Sequence, residues 1–246
     1  MAFCLQMFSK DVMSNPTLIN MLPVICEVNM YSFVVIGMIT AGAAAQANST
    51  ARPCSPLEMV IARGTMESKP YGFLAASAIF TETKKLIPEV TGYSVDYPAA
   101  WGEESPKLGV ADIKRYFRTQ PKACPKQKYV LVGYSQGAVV QHRAAKEMTD
   151  DKANYPIFDR IIATVTFGDG GQQATKDKVY DSPVGPIPAW PAELDGRVKF
   201  NCNGKDLTCS PGGDSTLDHT MYTFVGTYIT DSAKFVQTQY LKYKDT

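Results

Sequence analysis

KYVLVGYSQGAVVQ, residues 128 to 141, is an apolar run that meets a Gly-Xaa-Ser-Xaa-Gly turn and continues with helical character. Tyr129 to Val132 is β-branched and apolar, with the length of a buried parallel strand. Ser135 sits midway between Gly133 and Gly137. A serine raised on a sharp turn at a strand end needs strained backbone, and neighbours without side chains let the strand and the following helix approach closely. The turn also aims the amide of Gln136 at the point where negative charge develops on an attacked carbonyl oxygen. The competing reading is a chance pentapeptide in a glycine-containing turn. The strand before it and the helix after it argue against chance.

Outward from this turn, strands and helices alternate. Leu57 to Ala62, Tyr93 to Tyr97, Arg160 to Phe167 and Arg197 to Cys202 read as further strands. Tyr71 to Ile87, Ser105 to Thr119, Ser135 to Met148 and Thr220 to Tyr240 read as helices, the second opened by a Ser105 cap with Pro106 at its first position. Alternation of this kind argues for an α/β fold, a parallel sheet covered on both faces. Residues 168 to 194 hold GDGGQQ and a proline-rich stretch that cannot be a central strand. They are expected to form an ordered surface loop leaving the carboxyl end of a strand, where function collects in such sheets.

The 246 residues, 45% hydrophobic, suffice for one domain. A formal charge of +1 gives no sign of a nucleic-acid partner or a polybasic membrane anchor. The first 47 residues carry only Lys10, Asp11 and Glu27 as charges, and Tyr31 to Ala45 is apolar and ends in small residues that fit an A-x-A cleavage site. This is expected to be a secretory signal, with Met21 or Met30 as an alternative start. A membrane anchor is the rival, but about 15 apolar residues fall short of the roughly 20 that span a bilayer. Residues 48 to 246 are then the mature domain, opening on the sequon Asn48-Ser49-Thr50.

With Cys4 and Cys26 removed, Cys54, Cys124, Cys202 and Cys209 remain. Cys202 and Cys209 enclose a tight loop and are paired with each other, leaving Cys54 for Cys124. A zinc site is the rival reading, disfavoured by the Cys-x6-Cys spacing and by a chain with only two histidines.

A serine hydroxyl needs an adjacent base to take its proton. His142 lies seven residues beyond Ser135 on the same helix, roughly 10 Å along the axis, and reads as a helix-surface residue. His219, in the loop before the last helix, is the base by elimination. The acid falls between nucleophile and base in chain order, and the candidates there include Asp169, Asp195, Asp206, Asp214 and Asp218. Asp206 follows a strand and sits inside the Cys202 to Cys209 loop, which would hold its carboxylate in place. Asp169 is the runner-up. Thr65, in the turn after the first strand, is the second oxyanion donor beside Gln136.

Four separated segments together resemble the fungal cutinase family of secreted carboxylic ester hydrolases: Cys54 with its strand and Arg63-Gly64-Thr65, the block from Cys124 to Gln141, the IPAWP segment from Ile187, and Cys-x3-Asp-x2-Cys at 202 to 209. The resemblance implies a three-layer α/β-hydrolase fold with a five-stranded parallel sheet and no large lid. It places the nucleophile on Ser135, the acid on Asp206, the base on His219 and the oxyanion donors on Thr65 and Gln136. It also implies the same two cystine pairs. No metal or cofactor is expected, and the expected partner is an insoluble polyester or small ester substrate met by a monomer without stable membrane insertion. Lys205 stands where the family has glycine; were a positive φ needed there, lysine would shift the loop, and its ammonium would draw the Asp206 carboxylate from His219. Rim residues expected to face an acyl chain are Tyr97, Ala99, Ala100, Trp101, Ile187, Ala189 and Trp190. An acetylxylan esterase, a lipase activated at interfaces and an inactive interaction protein on the same scaffold are the alternatives.

Overall fold

Strand β1 (Leu57–Ala62) is apolar but for Glu58, and every residue in it is buried. Such a run needs cover on both faces. It feeds helix α1 (Ala75–Leu86), strand β2 (Thr91–Ser94), helix α2 (Glu104–Ala123), strand β3 (Lys128–Tyr134), helix α3 (Gln136–Asp150), strand β4 (Ile161–Phe167), strand β5 (Val198–Asn201) and helices α4 (Thr216–Thr220) and α5 (Tyr228–Tyr243). The computed structural model describes residues 51 to 246, so the expected signal, the sequon, Cys4 and Cys26 lie outside the described residues.

The five strands are all parallel, in the order β2-β1-β3-β4-β5. The side-chain period of two splits the core. Val60, Tyr129 and Leu131 pack under α2 and α3 with Ile113, Phe117, Val140 and Ala144. Met59, Ile61, Val130 and Val132 pack on the other face with Ala76 and Ile79 of α1 and Ala233 and Val236 of α5. From β1 the chain steps outward to β2 and then crosses to β3, so the strand order reverses between β1 and β3. In open parallel sheets the crevice beyond the carboxyl ends at such a switch point is where ligands bind. Thr65 follows β1 there, and Ser135 follows β3.

Several boundaries differ from expectation for physical reasons. Helix α1 begins four residues late because the carboxylate of Glu67 accepts the N–H groups of Phe73 and Leu74 and holds them in a loop. Strand β2 ends early, since its register opposite Glu58 to Ile61 is complete at Ser94. Ser105 does not cap α2; it lies inside the helix and points inward. At the other end Arg160 donates to the carbonyls of Pro121 and Cys124 and carries α2 past Thr119. The last helix, expected from Thr220, starts eight residues late at Tyr228, because Tyr222 turns into the core and Gly226 takes φ +64°, and the segment around His219, expected as loop, is the short helix α4.

Candidate active site

Ser135 takes φ 53° and ψ −118°, a conformation costly to a residue with a β-carbon. Its surroundings over-determine it. The Ser135 N–H donates to Phe167 O at 3.0 Å, and the Ala138 N–H donates back to Ser135 O at 2.9 Å. A β-carbon on Gly137 would lie 1.9 Å from the Ala62 carbonyl oxygen, and one on Gly133 would lie 2.6 Å from Ala138 Cα. The two glycines are therefore the condition for this turn, in agreement with their spacing.

Ser135 Oγ lies 2.9 Å from Nε2 of His219. The other ring nitrogen, Nδ1, lies 3.0 and 2.9 Å from the two oxygens of Asp206. An ionised carboxylate only accepts, so Nδ1 carries the proton and Nε2 presents its lone pair to the serine hydroxyl. Asp206 is fully buried and also accepts from Tyr222 Oη and from the Thr208 N–H at 2.6 Å. Burial pushes its carboxyl up, but the hydrogen bonds from His219 and Tyr222, the charge of His219 and the Thr208 N–H outweigh it and hold the group below the usual carboxylate value.

Local structure fixes each partner. Cys202 and Cys209 are joined in a disulfide around Asp206, and Cys54 is joined to Cys124. Tyr134 donates to His219 O at 2.9 Å and stacks on its ring at 5.3 Å between centroids. Gly168, at φ +56°, makes the floor under the imidazole, where a β-carbon would come within 2.6 Å of Cε1. Lys205 is exposed and is not among the residues at positive φ. Among the described residues only its carbonyl is engaged, by the Ser215 N–H. Lys205 therefore sits without positive φ, and Asp206 beside it keeps its contact with His219.

Gln136 is the first residue of α3, so its N–H has no intrahelical acceptor and faces outward from the helix start. Its side chain is a brace: Nε2 donates to Ala100 O at 2.7 Å and to Thr65 Oγ1 at 3.2 Å, and Oε1 accepts from Ser105 Oγ at 2.9 Å. Because Thr65 Oγ1 accepts from Gln136, its own proton remains to be donated. The turn carrying Thr65 is built on buried Glu67, which accepts the Gly64 N–H at 2.7 Å.

A family model described as cutinase matches residues 53 to 240. The chain belongs to the cutinase family. A cutinase of Kineococcus radiotolerans is 32% identical over 192 residues, 75% of this chain and 62% of that relative. A cutinase of Monilinia fructicola is 29% identical over 81% of this chain and 90% of its own length. A probable carboxylesterase, Culp3, of Mycobacterium tuberculosis is 25% identical over 82% and 76%. Among solved structures, a Trichoderma reesei cutinase in complex with a phosphonate inhibitor is 25% identical, with TM-score 0.58 over 76% of this chain and 77% of that one. A cutinase-like protein from Cryptococcus sp., 18% identical, shares the fold with TM-score 0.62 over 78% and 98%. This cutinase-family chain is accordingly a carboxylic ester hydrolase.

Other sequence expectations for this cutinase-family protein are corrected. His142 is not on the helix surface. It is fully buried, Nε2 lies 2.9 Å from Asp169 Oδ2, Nδ1 lies 2.7 Å from Pro188 O, and the Trp190 ring lies 4.0 Å away. Asp169, the second candidate acid, is therefore committed to His142 and not to His219. Asp195 and Asp214 are exposed, and Asp218 gives its N–H to Ser215 Oγ. Of the expected rim, Tyr97, Ala99 and Ile187 are buried, Tyr97 beneath the Arg63 guanidinium. Trp190 packs on His142, whereas Ala100 and Trp101 are exposed. Tyr222, Glu67 and Gly168 were missed by the sequence reading. Only Gly168 left a signal there, as a glycine at a predicted strand end.

Proposed function

We propose that the protein is a secreted serine esterase that cleaves carboxylic esters of cutin or similar apolar polyesters and lipid esters through an acyl-enzyme. The observation that carries this is the continuous hydrogen-bonded chain from Ser135 through His219 to Asp206 beside the first amide of α3. Ser135 Oγ attacks the ester carbonyl carbon as its proton passes to His219 Nε2, and Asp206 stabilises the imidazolium. The oxyanion takes hydrogen bonds from the Gln136 N–H and from Thr65. The alkoxide leaves with the proton from His219, and a water deprotonated by the same nitrogen then releases the acid and restores Ser135.

An apolar substrate is supported by the surface beside these residues. Met66, next to Thr65, is 76% exposed; Trp101, next to Ala100, is 70%; Leu217, two residues before His219, is 68%. Large apolar groups left in water near a reacting centre suit an insoluble ester. Export is supported by the two disulfides, which persist in oxidising compartments. The test is labelling with an organophosphate: stoichiometric modification of the wild-type protein and none of S135A is expected, and a folded wild-type protein that does not label overturns the reading. Chain-length preference on p-nitrophenyl esters then decides the substrate; activity confined to acetate would assign acetyl-ester hydrolysis instead.

A further inference from the structure

The second histidine, His142, and the buried aspartate against it, Asp169, have no part in the chemistry above, yet they form a complete couple. We propose that His142 and Asp169 are positioning residues for the catalytic base, holding the floor on which His219 stands; the inference rests on the reading of Ser135, His219 and Asp206 as the reacting groups.

The hydrogen bonds of the couple fix its proton content. Pro188 O cannot donate, so the 2.7 Å contact requires a proton on His142 Nδ1. Nε2 and Asp169 Oδ2, 2.9 Å apart, require one more between them. Whether written as imidazolium with carboxylate or imidazole with carboxylic acid, the couple is neutral overall. That is the form a site with neither side chain more than 1% exposed tolerates. Asp169 Oδ1 is satisfied by the Gly171 N–H at 2.8 Å.

Asp169 directly follows Gly168, whose α-carbon lies against the His219 ring. It opens the short 3-10 turn Gly170–Gln173. From that turn Gln172 and Gln173 donate to Cys209 O at 2.7 and 3.2 Å, inside the disulfide loop that carries Asp206. Asp169 therefore ties the segment under the base, and the segment bracing the acid, to α3, the helix that begins beside the nucleophile. The couple touches no substrate and acts through His219.

Two His142 variants separate this role from simple packing. The amide of H142Q reaches Asp169 in place of Nε2 and releases Pro188; that of H142N replaces Nδ1, reaches Pro188 and releases Asp169. The expected kcat on p-nitrophenyl butyrate is near wild type for H142Q and lower by about tenfold to a hundredfold for H142N, a displacement effect, with KM within about twofold in both. D169N restores every bond with a neutral imidazole, the amide nitrogen donating to Nε2, and is expected to keep near-wild-type kcat. Equal kcat in H142Q and H142N, or loss in D169N, overturns the proposal. Should H142N fail to fold, the wild-type protein labelled with 15N-histidine decides, since only His142 and His219 report. A slowly exchanging proton shared between Nε2 and Asp169 is expected, and its absence overturns the couple. S135A run in parallel tests the underlying reading: residual activity there defeats the serine mechanism whatever His142 does.

Discussion

At the scale of single residues, Tyr222 shows what a buried carboxylate needs in order to stay charged. Asp206 would be pushed toward its neutral form by burial alone, and the hydrogen bonds of His219 and Tyr222 reverse that. A folded-state pKa held below the unfolded value stabilises the protein above the unfolded value, and that stability is lost as pH falls through the folded one. Y222F removes one of the depressing bonds, so its acid loss is expected to begin at higher pH than in wild type, and D206N is expected to lack this component. Melting temperature against pH from 2 to 7 measures it; superimposable curves for wild type and Y222F would deny Tyr222 the role. On activity, D206N is expected to lose about 10⁴ in kcat and Y222F far less, because the imidazole keeps its acceptor. Neither Tyr222 nor Glu67 was legible in the sequence. Each acts across a turn whose closure depends on tertiary packing, and no local pattern encodes that. Ser135 was legible because its requirement is local: a strand, a strained turn and two glycines within five residues.

At the scale of elements, the strands were readable because burial on both faces writes continuous apolar runs into β1, β3 and β4. The helix ends were less so, and neither the short helix α4 nor the late start of α5 was read, since the turn between them is made by Tyr222 reaching inward. His142 shows the same limit. A polar residue on a helix reads as a surface residue unless something covers it, and the cover is a loop about 45 residues further along, from Val184 to Trp190, which Arg143 also grips through Val184 O and Pro186 O. Gly168, where that excursion leaves β4, permits a direct experiment. G168A places a β-carbon 2.6 Å from the imidazole and a non-glycine residue at φ +56°. A stability cost of about 1–2 kcal/mol and a fall in kcat on the order of 10²-fold are expected, read from thermal unfolding and from hydrolysis of p-nitrophenyl butyrate. Wild-type kcat in a folded G168A protein would show that the ring has room to spare.

At the scale of the whole molecule, the two disulfides serve different ends, and their removal should separate stability from activity. Cys54 and Cys124 are 70 residues apart, and Cys202 and Cys209 only 7. On the loop-closure argument the long loop is worth ~4 kcal/mol and the short one ~2 kcal/mol. The first joins the segment before β1 to the end of α2 and touches none of the reacting groups. The second encloses Asp206, where the Thr208 and Cys209 N–H groups turn toward the carboxylate. The C54S/C124S pair is therefore expected to lower the melting temperature most while kcat at 25 °C stays near wild type. The C202S/C209S pair is expected to cost less stability but to lower kcat, because a loosened loop no longer presents the carboxylate to His219 Nδ1 in one geometry. Unfolding in urea and single-turnover acylation by p-nitrophenyl butyrate measure the two effects on the same samples. If both pairs lower kcat in proportion to the stability they lose, the short disulfide is a general staple, and Asp206 is held by its hydrogen bonds alone.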